Sequence, residues 1–165
     1  MYKRIVVPLD GSPLAEEALA TAERMAEVTG ASLHLVRVVD FTRLENLGPY
    51  AWALEYAGTQ QVMDDEAAAA DEYLAAVRQR LGERGLNPTY EVRRGRVVRE
   101  LTEVAQPDDL VVMASHGRTG LARWFLGSVA EEMLRHSRVP VLLVRVAAAD
   151  GATDKPGDGK PAAAA

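Results

Sequence analysis

A chain of 165 residues with 48% apolar content holds enough material to bury one core, and the expectation is a single domain. It has no cysteine and only three scattered histidines, His34, His116 and His136, which excludes a disulfide framework and a thiolate metal centre. A formal net charge of −5 lacks the basic excess that nonspecific nucleic-acid binding draws on, so nucleic acid is not the expected ligand, although Arg93, Arg94, Arg96 and Arg99 form a local cluster.

The opening apolar run is shorter than a signal-peptide core and is interrupted at Asp10, and no later segment approaches the ~18 apolar residues of a membrane span. A cytoplasmic protein without membrane contact is expected. Residues 3–9 form a short β-branched strand that stops at Asp10-Gly11-Ser12. Ser12 and Pro13 then make an N-cap and first-turn pair, so the strand feeds directly into a helix. That helix gathers Leu14, Ala18, Ala22, Met25 and Ala26 on one face and ends at Gly30. Residues 32–39 are apolar at most positions, as parallel strands covered on both faces are. Residues 40–60, with Gly48-Pro49 and Gly58, read as an irregular stretch: a lid, or a loop containing a short helix.

Residues 62–84 have helical spacing at Tyr73, Leu74, Val77 and Leu81 and stop at Gly85; residues 89–93 alternate as a strand. A short helix over 97–105 carries Val98, Leu101, Val104 and Ala105 and is broken by Pro107-Asp108-Asp109. Residues 110–114 are a buried strand and 115–126 a loop. Gly127-Ser128 opens a helix to about His136, and 139–144 is the last strand, with Pro140 near its start, where proline is tolerated. From Ala147 onward no large apolar residue remains to offset the entropy of ordering, so residues 1–146 are read as the domain and 147–165 as a disordered tail.

Strands alternating with helices predict an α/β fold: an open five-stranded parallel sheet with helices on both faces, Rossmann-like in architecture. Ligands of such sheets bind beyond the carboxyl ends of the strands, where strand order reverses. The two chemically distinctive strand ends are Pro8-Leu9-Asp10-Gly11-Ser12 and Met113-Ala114-Ser115-His116-Gly117. A strand order of 3-2-1-4-5 sets them side by side.

Ala114-Ser115-His116-Gly117, nine residues, then Gly127-Ser128 is the informative spacing. A glycine at a strand end lets backbone approach a ligand, and Gly-Ser at a helix start offers N–H groups, a hydroxyl and the positive end of the helix dipole. Those are the requirements for holding phosphate. The spacing is neither the P-loop nor the dinucleotide fingerprint. Together with Val6-Val7-Pro8-Leu9-Asp10-Gly11-Ser12, Val38-Val39-Asp40, Arg118-Thr119-Gly120, Leu126-Gly127-Ser128-Val129-Ala130 and Val139-Pro140-Val141-Leu142-Leu143-Val144, it resembles the universal stress protein family. The ATP-binding branch of that family carries Gly, two residues, Gly, nine residues, then Gly with Ser or Thr. Here Ala114 stands where the first glycine is expected.

The resemblance implies an adenine nucleotide, ATP or AMP, with Mg2+ as an accompanying ion, and no catalytic residue. It places Pro8 and Asp10 at the ribose and adenine side, Val38 at the adenine edge, and Met113 and Ala114 along base and ribose. Gly117 and Gly127 would donate amides to the phosphates, with the Ser128 hydroxyl and the Val129 amide beside them. It also implies a homodimer through the last strand, whose edge offers unpaired backbone groups.

Plainer readings stand next to these. Asp10 serves either the turn or a ligand hydroxyl, and His116, with no partner base in the sequence, is read as structuring its loop. His34 is read as packed and His136 as favoured by the end of its helix. Arg118 and Arg123 reach either phosphate or water, while Trp124 and Phe125 anchor their loop. The Arg93 to Arg99 cluster is read as a solvated rim. The functional expectation is a nucleotide-binding regulatory module with at most slow hydrolysis. A dedicated ATPase and a nucleotide-free interaction dimer are the alternatives.

Overall fold

The computed structural model describes residues 1–40, 51–115 and 126–145, and for 51–59 the backbone alone. Five strands, β1 (Arg4–Pro8), β2 (Ser32–Val39), β3 (Thr89–Arg94), β4 (Asp109–Ala114) and β5 (Val141–Val144), make one sheet in which every pairing is parallel and the order is β3-β2-β1-β4-β5. Among the described residues four helices lie between them: α1 (Pro13–Thr29), α2 (Ala51–Gly82), α3 (Val97–Val104) and α4 (Ser128–His136). The expected α/β fold and strand order are both present.

Successive residues of a strand face opposite sides, and each side of this sheet has its own core. Ile5, Val7, Leu33, Leu35 and Leu110 pack with Leu19 of α1 and Leu74, Val77 and Leu81 of α2. Val6, Val36, Val111 and Met113 pack with Val98 and Leu101 of α3 and Met133 of α4. β4 is buried along its whole length, as its unbroken apolar run requires in a sheet covered on both faces.

Local chemistry sets the ends of α1. The Ser12 hydroxyl accepts from the Ala15 N–H at 3.2 Å, Pro13 occupies the first turn, and Gly30 closes the helix at φ 73 with its N–H on the Ala26 carbonyl. α2 departs from expectation. It begins at Ala51, so residues 51–60, read from the sequence as irregular, belong to the helix. The stretch Ala-Trp-Ala-Leu-Glu-Tyr-Ala is made of helix-compatible residues, and the cost of about 1 kcal/mol for Gly58 is small against a helix of 32 residues. The last strand begins at Val141, two residues later than expected; Val139 is buried, and the Pro140 carbonyl accepts from the Val111 N–H.

Gly95 links β3 to α3 at φ 146, and a Cβ there would meet Glu100 Oε1 at 2.7 Å. Glu100 in turn holds Arg93 at 2.9 Å. Gly95→Ala therefore combines backbone strain with displacement of this pair, and is expected to lower stability by about 1–3 kcal/mol. A urea midpoint equal to that of the parent protein would contradict this account.

Candidate functional site

The reversal of strand order falls between β1 and β4, and a cleft of about 700 Å³ lies beyond their carboxyl ends. That volume is within the range of sites for small molecules and cofactors. Most of its walls come from the ends of strands and the start of α4, with Glu66 and Ala69 of α2 and Val97 and Leu101 of α3 adding to them. The turn after β1 supplies Pro8, Leu9 and Asp10, the end of β2 supplies residues 36–40, the end of β4 supplies Met113 and Ala114, and the start of α4 supplies residues 127–130.

The turn after β1 is held by its own residues. Asp10 Oδ1 accepts from the Ser12 N–H at 2.9 Å, and Gly11 between them sits at φ 80, a conformation that disfavours any side chain. Asp10 thus does turn work while its position also borders the cleft. Across from it, α4 starts at the N-cap Gly127, with φ −61 and ψ 147. The Gly127 N–H donates to the Ser115 carbonyl at 2.8 Å, tying the end of β4 to the start of α4. This differs from the expected role of Gly127 as an amide donor to phosphate. With that N–H engaged, the helix donors that lack an intrahelical acceptor are those of Ser128, Val129 and Ala130.

Ala114 stands inside β4, paired with Val144 and 9% exposed. An extended strand residue has negative φ, so alanine here meets no conformational penalty, and the motif's departure from glycine leaves the strand end intact.

Residues 1–145 match the universal stress protein family. The chain belongs to that family. This universal stress protein is 33% identical to Universal stress protein MJ0531 of Methanocaldococcus jannaschii over 148 residues, 88% of this chain and 83% of that one. Among solved structures it is similar to universal stress protein UspA from Lactobacillus plantarum, with a TM-score of 0.75 at 25% identity over 87% of this chain and 98% of that one. A universal stress protein solved in complex with cAMP shares the fold at TM-score 0.54 and 24% identity, covering 88% of this chain and 98% of its own.

Eight of the residues singled out in the sequence, Pro8, Asp10, Val38, Met113, Ala114, Gly127, Ser128 and Val129, border this one cleft of the universal stress protein. Gly117 lies outside the described residues, as do His116, Arg118, Arg123, Trp124, Phe125 and the tail 147–165. His34 is buried between Thr89 Oγ1 at 2.8 Å and Glu91 Oε1 at 3.0 Å, a packed residue as expected. His136 closes α4.

The arginine cluster lies at the surface, with Arg94, Arg96 and Arg99 exposed as a solvated rim would be, and three of its four members are also paired. Arg93 bonds Glu100 and Glu103, Arg94 meets Asp64 at 2.9 Å, and Arg99 meets Glu103 at 2.9 Å. These guanidiniums are engaged by neighbouring carboxylates before any ligand arrives. Three charged cleft residues went unread in the sequence: Arg37, Asp40 as a side chain, and Glu66 of α2. For Glu66 a signal existed. It stands four residues before Ala70 and seven before Tyr73, which puts a carboxylate on the stripe that faces the sheet.

Behind Arg37, the Tyr73 hydroxyl donates to Glu16 Oε1 at 2.6 Å, and Arg80 bonds the other oxygen of the same carboxylate. Burial, then the bond to Glu16, pushes the Tyr73 hydroxyl well above its ordinary pKa, so the ring remains a neutral phenol throughout the physiological range.

Proposed function

We propose that this universal stress protein binds an adenine nucleotide, ATP or a shorter relative such as AMP, in the cleft beyond β1 and β4, and acts as a regulatory module. The observation that carries the reading is the start of α4 against the cleft. Three consecutive helix donors, the Ser128 hydroxyl and the positive end of the helix dipole border a space of about 700 Å³. Asp10, an acceptor when ionised, suits a ribose hydroxyl on the opposite wall. The fold neighbour solved in complex with cAMP supports the class of ligand, since that universal stress protein of the same fold takes an adenine nucleotide.

Among the described residues no three His, Asp or Glu side chains gather at metal-binding spacing, and Mg2+ enters this reading only as the ion that travels with ATP. Hydrolysis is expected to be far slower than the typical enzyme turnover of about 10 s⁻¹. Such a module would work in the cytoplasm, where adenine nucleotides are plentiful; no helix among the described residues is long and apolar enough to cross a membrane. The direct test is mass spectrometry of small molecules released by denaturing the purified protein, followed by calorimetry with ATP, AMP and cAMP. Absence of binding to all three would refute the reading, and brisk multiple turnover would favour an ATPase.

The same reading includes a homodimer through β5. This edge strand has half-buried Val141, Leu143 and Val144, and Leu142 is 36% exposed. An apolar edge with open backbone groups is a template for a second copy. Light scattering is expected to give twice the chain mass at micromolar concentration, and Leu142→Glu to shift the protein toward monomer. A parent protein that is monomeric at that concentration removes the dimer from the proposal.

A further inference from the structure

Arg37 is half-buried near the end of β2 and borders the cleft. Among the described residues its guanidinium has neither an ion pair nor a hydrogen bond; its partner is the ring of Tyr73, whose centroid lies 5.1 Å from the guanidinium carbon. The other arginines near this end of the sheet, Arg93 and Arg94, are held by carboxylates. Tyr73 is a fixed support, because Glu16 holds its hydroxyl and Arg80 holds Glu16. A guanidinium stacked over one ring has a second face of the same delocalised plane, and planes of this kind take nucleobases.

We infer that Arg37 is a stacking platform for the base of the bound nucleotide, its guanidinium lying between the Tyr73 ring and the purine. The inference rests on the nucleotide reading proposed above. The surrounding charge favours a base over a phosphate at this position. A phosphate near Arg37 would share the cleft wall with Asp10, Asp40 and Glu66, whereas the start of α4 offers amides and a favourable dipole. The base is the uncharged part of the ligand, and its π face suits a cation that carries no carboxylate of its own.

The test is calorimetry of adenosine, AMP and ATP with the parent protein, Arg37→Ala and Arg37→Lys, with thermal unfolding of each ligand-free protein alongside. Arg37→Ala is expected to weaken all three ligands by the same factor, roughly three- to tenfold. Arg37→Lys keeps the charge and loses the plane, so it is expected to lose nearly as much. Ligand-free melting should stay close to that of the parent protein, because no hydrogen bond or ion pair of Arg37 is lost. Parent-like affinity in Arg37→Ala overturns the inference. So does a loss that grows from adenosine to ATP, fades at high salt and is rescued by lysine, which would mark an anion contact instead. If the parent protein binds none of the three ligands, the nucleotide reading itself fails, a result distinct from unchanged affinity in the variant.

Discussion

Gly127→Val is expected to abolish most of the stabilisation that ATP confers while leaving the ligand-free fold standing. At a hundredfold excess over its dissociation constant, a ligand that binds only the folded state stabilises it by about 2.7 kcal/mol. For a domain of this size that is a melting shift of roughly 5–11 °C. The substitution should remove the shift because it puts a branched side chain at the mouth of α4, where phosphate would meet the Ser128 to Ala130 amides. The fold should survive because Gly127 sits at φ −61 and ψ 147, a region open to valine, and its N–H bond to Ser115 involves backbone alone. Ser128→Ala should reduce the shift less, since one hydroxyl is lost and the helix donors remain. Thermal unfolding with and without ATP reads all three proteins. A correctly folded Gly127→Val protein with the full ATP shift would show that the ligand lies elsewhere.

Asp109→Ala is expected to cost about 3 kcal/mol of stability, without reference to any ligand. Asp109 opens β4 at 3% exposure, and its carboxylate accepts from two nitrogens of Arg4, Nε shared between both oxygens at 3.1 and 3.2 Å and Nη2 at 2.6 Å, plus the Gln106 N–H at 2.7 Å. Arg4 also donates to the Val104 carbonyl at 2.9 Å, so the pair ties β1, the end of α3 and β4 together. Removing one member of a buried pair strands the other, which costs about 3–5 kcal/mol. The lower end applies because the Arg4 side chain keeps 22% of its exposure and can recruit water. Urea denaturation checks the magnitude.

The same pair predicts an acid limb. Burial pushes the Asp109 carboxyl up, but the Arg4 hydrogen bond, the Gln106 N–H and the Arg4 charge outweigh it and hold the group below its ordinary 3.8. In the unfolded chain it takes up its proton near the ordinary value, in the folded one only at lower pH. Its contribution is therefore complete above pH 3.8 and drains as pH falls from there through the lowered value. Asp109→Ala should flatten this part of the stability profile, and a profile as steep as that of the parent protein would assign the acid limb to other carboxylates.

What could be read from the sequence was whatever neighbouring residues decide among themselves. Ser12 and Pro13 start α1 and Gly30 stops it, and these need only their own turn of backbone. The unbroken apolar run of β4 demands burial on both faces, and helices between the strands demand a parallel sheet. From these came the fold, and from the chemistry of two strand ends came the order that sets them side by side. The sequence therefore pointed to the end of the sheet where the cleft lies, and to eight of the residues that border it.

Tertiary structure alone decided which groups are already engaged. That the Gly127 N–H is bound by Ser115, that Arg93 and Arg94 are held by Glu100 and Asp64, and that Arg37 faces Tyr73 rather than a carboxylate all depend on pairs brought together by folding. No local pattern encodes them, because an arginine reads the same in sequence whether or not a carboxylate waits across the next helix. Ala114 shows the converse: a one-letter departure from a motif does not tell in sequence whether the backbone changes with it, and its place inside β4, at extended φ, reduces it to a single methyl group. The physical reason is common to these cases. Element type follows from the energetics of adjacent residues, whereas the availability of a charge or an N–H for a ligand depends on the partners that the closed fold brings to it.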